Sequence, residues 1–281
     1  MKIIASFFTF LICAILISSL AFGNDVQKTV ENNNAFGLDL YQELEHDGSN
    51  IFFSPFSIST ALAMAYAGAK EQTESEIADV LHFTVDQSRL HSAFNKLLID
   101  LDDINEHNPV IIDFPNDQNP LHPVLSEHQI ELLTLDKNSP LAIHLANSLW
   151  IQKGIQPLKS FLELDQKYYD SQLNIADFEN NPSEAIRRIN RWVDNETGHK
   201  INEIINQSDI SQLTRLVLCS ALYFKSTWQA KFNKNMTDNR SFFLSPQDKI
   251  LTPMMHQESV FKYNKFQKFS AIELPFEGNE I

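Results

Sequence analysis

The chain has 281 residues, of which 43% are hydrophobic, and 36 acidic residues outnumber 22 lysines and arginines to give a formal net charge of −14. This length can build one large hydrophobic core or two small ones. The negative charge argues against nucleic acids, other polyanions and acidic membranes as partners. The seven glycines leave little for a phosphate-binding loop.

The first 23 residues have the pattern of a secretory signal peptide. Lys2 precedes a mostly apolar run, Ile3 to Leu20, and Ala21-Phe22-Gly23 supplies a small-x-small cleavage site before Asn24. The alternative is a retained membrane anchor, because the apolar run nearly reaches spanning length. The cleavage site favours the signal peptide, so we expect a secreted, extracellular protein with one domain over residues 24–281, since no linker or repeat divides them.

The cysteines of this sequence predict no disulfide bond in the mature protein. Cys13 would leave with the signal peptide, so that Cys219 is alone and no intrachain disulfide can form. The apolar neighbours of Cys219 predict a buried, inert thiol.

The first predicted elements of the mature chain are two helices separated by a short strand. Apolar residues at helical spacing predict an amphipathic helix over Asn33–Leu44, and Ile51–Phe53 has the pattern of a short buried strand. Ser54 and Pro55 predict a helix start, with a hydroxyl N-cap and proline at the first helical position. Residues 58–67 are apolar on nearly every side, which is typical of a helix inside a large core.

Two helix boundaries follow from local chemistry. Gly68 suits the left-handed residue that ends a helix. Thr73 and Glu76 form a T-x-x-E capping box, which predicts that a second helix begins there.

The sequence NIFFSPFSISTALAMAYAGAK, residues 50–70, followed by EIADVLHF, closely resembles the serpin family. In that family the segment forms the strand and central helix beneath the large sheet. The resemblance implies an α+β, serpin-type fold, with helices packed around a large mixed β-sheet and smaller sheets beside it.

Residues 102–140 depart from this resemblance. The segment is acidic and contains five prolines where serpins usually have a short connection. Connections of this length are usually either functional or disordered. A mobile surface insertion is one interpretation, and a partner-binding loop, suggested by the pairs Val110-Ile111 and Leu132-Leu133, is the other.

From Leu141 the resemblance resumes. LAIHLANSLWIQKG predicts a long strand with Trp150 buried, followed by a helix over Pro157–Ser171 and an edge strand over Leu173–Phe178. Residues 183–198 predict an amphipathic helix with three arginines on a solvated, salt-bridged face. It resembles the serpin helix that lies across the sheet and yields when the sheet expands.

The last third contains a second strong match, LTRLVLCSALYFKSTW, whose continuous apolar run predicts a strand buried on both faces. Residues 253–266 resemble the strands of the small sheet that follow, and Ala271–Phe276 predicts another strand. The sequence stops at Ile281, ahead of the reactive loop that the resemblance implies. We therefore expect an incomplete C-terminus and no protease trapping by this chain alone.

No enzyme motif is present: the sequence has no G-x-S-x-G, H-E-x-x-H or C-x-x-C pattern. His122 and His128 share the acidic insertion, but their six-residue spacing is not that of a usual ligand pair. His144 and His256 are expected to be structural. We predict no enzyme activity, no cofactor and no metal site.

The resemblance implies a single-use inhibitor of serine or cysteine endopeptidases, in which the cleaved reactive loop inserts into the large sheet of the complete protein. Ser54 and Ser57 match serines of the polar cluster that controls sheet opening, and Ser220 stands where the family usually has asparagine. Trp228 matches the tryptophan at the top of the sheet. Ser226 and Glu71 replace family glycines, so strain is expected at both.

Two further predictions concern modification and partners. N-x-S/T sequons make Asn195, Asn206, Asn235 and Asn239 candidates for N-glycosylation. Many serpins bind glycosaminoglycans through a basic helix, but the matching residues 88–101 carry only Arg89 and Lys96, so that activity is not expected. The alternative function is a non-inhibitory, secreted serpin-like protein that binds a partner through residues 102–140.

Overall fold

The computed structural model describes residues 2–44, 50–107, 141–267 and 269–277. The chain forms two compact units. The first contains residues 1–103 and 144–223, and the second contains residues 104–143 and 224–281. Helices and sheets are both present, as the α+β prediction requires.

The N-terminal helix, α1, spans Lys2–Leu44 and is much longer than the predicted helix over residues 33–44. No proline precedes Pro55, so nothing in the sequence stops the helix between the apolar run and the amphipathic segment. Asn32 Nδ2 donates to Thr84 Oγ1 at 3.1 Å, and the Asp25 carboxylate pairs with Arg89 at 3.2 Å. Within the described residues, no helix is both long enough and apolar enough to cross a membrane.

Helix α2, Pro55–Gly68, confirms the predicted N-cap. Ser54 Oγ accepts a hydrogen bond from Ser57 N at 3.1 Å, and Ala63 and Met64 are fully buried. The prediction for Gly68 is wrong, because its φ is not positive and the C-cap is Ala69, with φ −74°. A Cβ at Gly68 would instead lie 3.2 Å from the ring of Phe161.

Two other local predictions are also wrong. Residues 51–53 form no strand in the described part of the chain, and Phe52 is fully exposed. A strand needs a partner for its backbone groups, and no described segment pairs with this one. Helix α3 spans Glu71–Val80, so that Thr73 lies inside it; its N-cap is Lys70, with no side-chain cap.

Helix α4 spans Gln87–His107, so it includes the residues 88–101 that match the serpin helix and continues into the predicted insertion. Leu90 and Phe94 are fully buried in a cluster that also contains Met64, Leu149 and Tyr169. The remainder of the predicted insertion, with His122 and His128, lies outside the described residues.

The main sheet has three strands in the order β2-β1-β3. They are β1 (Leu141–Gln152), β2 (Gln172–Ala176) and β3 (Leu216–Ser226). Strands β1 and β2 are parallel, with Trp150 opposite Asn174. The predicted long strand and edge strand are therefore confirmed, and Trp150 is 2% exposed.

Helix α5, Lys159–Tyr169, and helix α6, Pro182–Glu196, connect these strands. The inner face of α6 contributes to a second core cluster, in which buried apolar residues of α6, β1 and β3 meet: Trp150, Ile186, Ile189, Trp192, Val193, Cys219 and Ala221. Burial of Cys219 is as predicted, and desolvation raises the pKa of its thiol to about 12. The thiol is therefore inert at neutral pH.

Strand β3 is not buried on both faces, so that prediction is wrong. Leu216 and Phe224 are 44% and 45% exposed, whereas Cys219 and Ala221 are buried. In the described sheet β3 has β1 as its only neighbour. A continuous apolar run indicates full burial only when other elements cover both faces.

The second unit contains a short 3-10 helix, Lys234–Met236, and two antiparallel hairpins. The first hairpin pairs β4 (Asp238–Phe243) with β5 (Lys249–Met254), and the second pairs β6 (Lys262–Lys265) with β7 (Ser270–Glu273). Strand β7 begins at Ser270, one residue before the predicted strand over residues 271–276, and the rest of β7 lies within that predicted strand. The end of that segment forms only an isolated bridge, from Phe276 to Trp228.

Candidate sheet-opening site

Three serines join the start of α2 to the middle of β3. Ser57 Oγ and Ser220 Oγ are 2.6 Å apart, and Ser220 Oγ also lies 3.3 Å from Ser57 O. Ser54 does not contact Ser220 directly but fixes the backbone of Ser57 through the N-cap bond. The predicted residues Ser54, Ser57 and Ser220 therefore form one hydrogen-bonded group.

The alternation of β3 explains why Ser220 faces α2. Side chains of successive strand residues point to opposite faces. Cys219 and Ala221 both enter the cluster built on α6, so Ser220 between them points to the opposite face. Because α2 begins at Pro55, Ser57 lies in its first turn, where its side chain can reach the strand.

The side chains of this group are all hydroxyls, and they bond to each other and to the backbone of Ser57. Only one proton can lie between the two oxygens of Ser57 and Ser220, and a serine offers fewer hydrogen bonds than an asparagine amide would. Separating α2 from β3 at this point breaks one short hydroxyl–hydroxyl bond and a longer one to a backbone carbonyl. This arrangement can therefore resist separation of helix and strand without a charged pair.

Two polar side chains of β1 lie buried in the same sheet, and sequence reasoning missed them. Ser148 Oγ accepts from Trp150 Nε1 at 2.8 Å. Asn147 is 8% exposed, and its Oδ1 has no hydrogen-bond partner within the described residues. The sequence did contain a signal for these two buried side chains, because both are polar residues within the apolar pattern of a central strand.

The two expected sites of strain differ. Glu71 has φ +54°, a left-handed conformation that favours glycine, so the expected strain is present. Ser226 does not have a positive φ. Its hydroxyl is instead buried without a hydrogen-bond partner in the part of the chain that the structure describes.

Trp228 belongs to the second unit. Its ring stacks on Phe276 with the centroids 4.5 Å apart and the planes 15° from parallel. Two backbone bonds hold the same contact, from Gln229 N to Pro275 O at 3.0 Å and from Glu277 N to Thr227 O at 2.8 Å. The ring stacking and the two backbone hydrogen bonds therefore hold residues 227–229 against residues 275–277.

Helix α6 is attached to the sheet by side chains near its middle and at its C-terminal end. Arg188 donates to Ile175 O of β2 at 2.6 Å, and its guanidinium lies 5.2 Å from the ring centroid of Trp150. At the C-terminal end His144 Nε2 of β1 lies 3.1 Å from Glu196 Oε2. The predicted salt-bridged face is present at Arg187 and Glu184, whereas Glu196 pairs with β1 instead.

The four sequon asparagines differ in exposure. Asn206, Asn235 and Asn239 are exposed, whereas Asn195 is half-buried and its sequon threonine, Thr197, is 1% exposed. Thr197 Oγ1 donates to Val193 O at 2.8 Å. A glycan is therefore easiest to accommodate at the three exposed positions.

The predicted structural histidines both contact carboxylates. His144 pairs with Glu196 as described above, and His256 Nε2 lies 3.9 Å from Glu258 Oε1. In the described ranges no group of three or more histidine, cysteine or acidic side chains could hold a metal ion.

A model of the serpin family, described as serine protease inhibitor, matches residues 31–281. The chain therefore belongs to the serpin family. Because this is a family of protease inhibitors, membership agrees with the prediction that the protein is not an enzyme.

Two of the similar curated proteins carry a serpin name or the name of an inhibitor. An uncharacterized serpin-like protein of Thermococcus kodakarensis is 36% identical over 248 residues, which cover 88% of this chain and 50% of the relative. Leukocyte elastase inhibitor of Homo sapiens is 33% identical over 254 residues, covering 89% of this chain and 58% of the relative. The chain thus spans about half the length of the curated relatives it matches.

Solved structures confirm the fold. Emu ovalbumin has a TM-score of 0.72 at 23% identity, over 90% of this chain and 62% of that one. The cleaved form of a protein named Serpin 42Da also has a TM-score of 0.72, at 26% identity, over 90% of this chain and 60% of the other. The serpin-type α+β fold is therefore established for the matched residues.

Proposed function

We propose that the protein, in its complete form, inhibits a serine endopeptidase by inserting a cleaved reactive loop into the main sheet. The match to the serpin family over residues 31–281 is the observation that carries this proposal. Relatives named leukocyte elastase inhibitor support it. The chain covers 58% of these inhibitors and 50% of the Thermococcus relative, so inhibition is proposed for the complete protein.

The geometry of β3 supports this mechanism. Leu216 and Phe224 expose apolar surface on a strand whose only neighbour in the described sheet is β1. An inserted strand would cover such surface and satisfy the backbone groups of β3. The Ser57–Ser220 bond would restrain β3 before insertion, and the stacked Trp228 would hold the chain that follows β3.

The test is formation of a covalent complex. The complete protein is incubated with trypsin, chymotrypsin and elastase, and with papain for the cysteine class, and the mixtures are resolved on an SDS gel. We expect a band that resists SDS with at least one serine protease. The matched control is the same protease with its catalytic serine blocked, which must give no such band. Simple digestion by every protease would contradict the proposal.

We also propose that the protein is secreted and glycosylated. The signal-like residues 1–23 and the exposed sequons at Asn206, Asn235 and Asn239 support this proposal. N-terminal sequencing of protein collected from the medium of the producing cells should begin at Asn24. Protein found only in cell lysates, with Met1 retained, would contradict secretion.

A further inference from the structure

Asp165 of α5 is a buried carboxyl group without a partner. The residue is 2% exposed, and neither of its carboxylate oxygens has a hydrogen-bond partner in the described structure. Ionised side chains are almost never buried in this way unless a cation or several donors surround them. The group therefore needs an explanation that sheet packing does not give.

A cleft of about 490 Å³ borders this side chain, between α5 and the neighbouring strands β1 and β2. Its apolar lining comes from Leu149, Leu162 and Leu173. Its two lining cations belong to α5, and both contact groups other than Asp165: Lys159 pairs with Glu163 at 3.2 Å, and Lys167 Nζ donates to Tyr168 Oη at 3.0 Å. No cation in the described residues therefore compensates a charge on Asp165.

The elements packed around α5 add few titratable groups. Helix α2, Pro55–Gly68, and strand β2 contain no charged residue, and α2 contributes only Tyr66. In β1 the only titratable residue is His144, which faces Glu196. From α4 comes His91, whose Nδ1 lies 2.5 Å from Tyr169 Oη.

His91 and Tyr169 do not change charge near neutral pH. Desolvation, with a smaller contribution from Lys70, lowers the pKa of His91 to about 4. Desolvation first, and then the charge of Asp165, raise the pKa of Tyr169 well above its ordinary value. Among these buried groups, only Asp165 titrates between pH 5 and 8, because burial raises its pKa to about 7.

From this geometry we propose that Asp165 is a proton-operated lock on α5: the neutral carboxyl keeps the helix closed against β1 and β2, and the ionised carboxylate drives the helix away from β2 to reach water. Asp170, in a left-handed conformation with φ +44°, follows α5 directly and ends the helix before β2 begins. The lock is independent of the proposed inhibitory function.

The direction of the pH effect follows from the direction in which burial shifts the pKa of Asp165. A carboxyl group whose pKa is higher in the folded than in the unfolded protein keeps its proton longer in the folded state. The lock is therefore fully closed below about pH 4 and weakens as the pH rises through about 7. A shift from 3.8 to about 7 corresponds to about a thousandfold change in the closed-to-open equilibrium.

The experiment follows hydrogen exchange of the α5 amides from pH 5 to pH 8, corrected for intrinsic exchange, in the full chain and in Asp165→Asn. The wild type should lose protection by roughly eightyfold over this range, and the variant should lose less than threefold. Glu179→Gln is the control, because Glu179 is an exposed carboxylate that lies outside α5 and does not line the cleft. It should behave as the wild type does.

Equal pH dependence in the wild type and Asp165→Asn would overturn the proposal. Should that variant fail to fold, Asp165→Leu replaces it, since the site is otherwise apolar and the expected loss of pH dependence is the same. A direct carbon-13 titration of the Asp165 carboxyl in the wild type provides a second, independent measurement. A midpoint near 7 supports the lock, and a midpoint below 5 overturns it.

Discussion

At the scale of single residues, the hydroxyl pair of Ser57 and Ser220 is the contact on which the proposed control of β3 rests. The two oxygens are 2.6 Å apart, and Ser57 is buried. A buried hydrogen bond of this kind contributes about 1 kcal/mol to stability, and loss of one partner leaves the other unsatisfied. A single substitution can therefore show what the pair contributes.

We expect Ser220→Ala to lower the free energy of unfolding by about 1–2 kcal/mol, because it leaves Ser57 Oγ without its partner. Chemical denaturation measures the change. The matched control on the same strand is Ser226→Ala, since the Ser226 hydroxyl is buried without a partner in the described structure. That substitution should be neutral or stabilising. Equal losses for both variants would show that the Ser57–Ser220 bond contributes nothing specific.

Backbone strain at Glu71 gives a second residue-scale prediction. Its φ of +54° costs about 1 kcal/mol for a residue other than glycine, so Glu71→Gly should raise the free energy of unfolding by roughly that amount. Glu74→Gly, inside the regular part of α3, should instead lower it by about 1 kcal/mol. Thermal unfolding of both variants measures the contrast. A loss of stability in Glu71→Gly would contradict the assignment of strain.

At the scale of elements, local chemistry predicted some boundaries and could not predict others. Ser54 and Pro55 determine the start of α2 because capping depends on neighbours within the same turn. The burial of β3 depends on which other elements cover it, and an apolar run carries no such information. Asp165 was missed for the same reason, since one acidic residue in an amphipathic helix gives no signal of its burial.

The contact between α1 and α2 can be tested through Gly37. A Cβ added there would lie 2.8 Å from Cγ of Pro55, and the proline ring is rigid. We expect Gly37→Ala to lower the free energy of unfolding by about 1–3 kcal/mol through overpacking. In a double-mutant cycle with Pro55→Ala, the two losses should be less than additive. Strict additivity would show that the two residues do not clash.

At the scale of the whole molecule, the motifs around residues 50–70 and 213–228 were enough to predict the serpin-type fold, and the family match confirms it. The candidate site was predictable only in part. The matched serines do meet, but the buried polar residues Asn147 and Ser148 and the His144–Glu196 pair appear only once the strands are assembled. His144 and Glu196 are far apart in the sequence, and Asn147 and Ser148 lie within the apolar pattern of β1.

The proposed inhibition makes the molecule a single-use trap, in which a conformational change follows cleavage of the reactive loop. The most direct test is the intact mass of the complete protein after incubation with a serine protease that it inhibits. We predict one species whose mass is the sum of both proteins less the C-terminal fragment released by cleavage, because an ester joins the protease serine to the cleaved loop. The inhibitory function would be contradicted if every protease tested gave two separate masses, one of the unmodified protease and one of this protein in its cleaved or intact form.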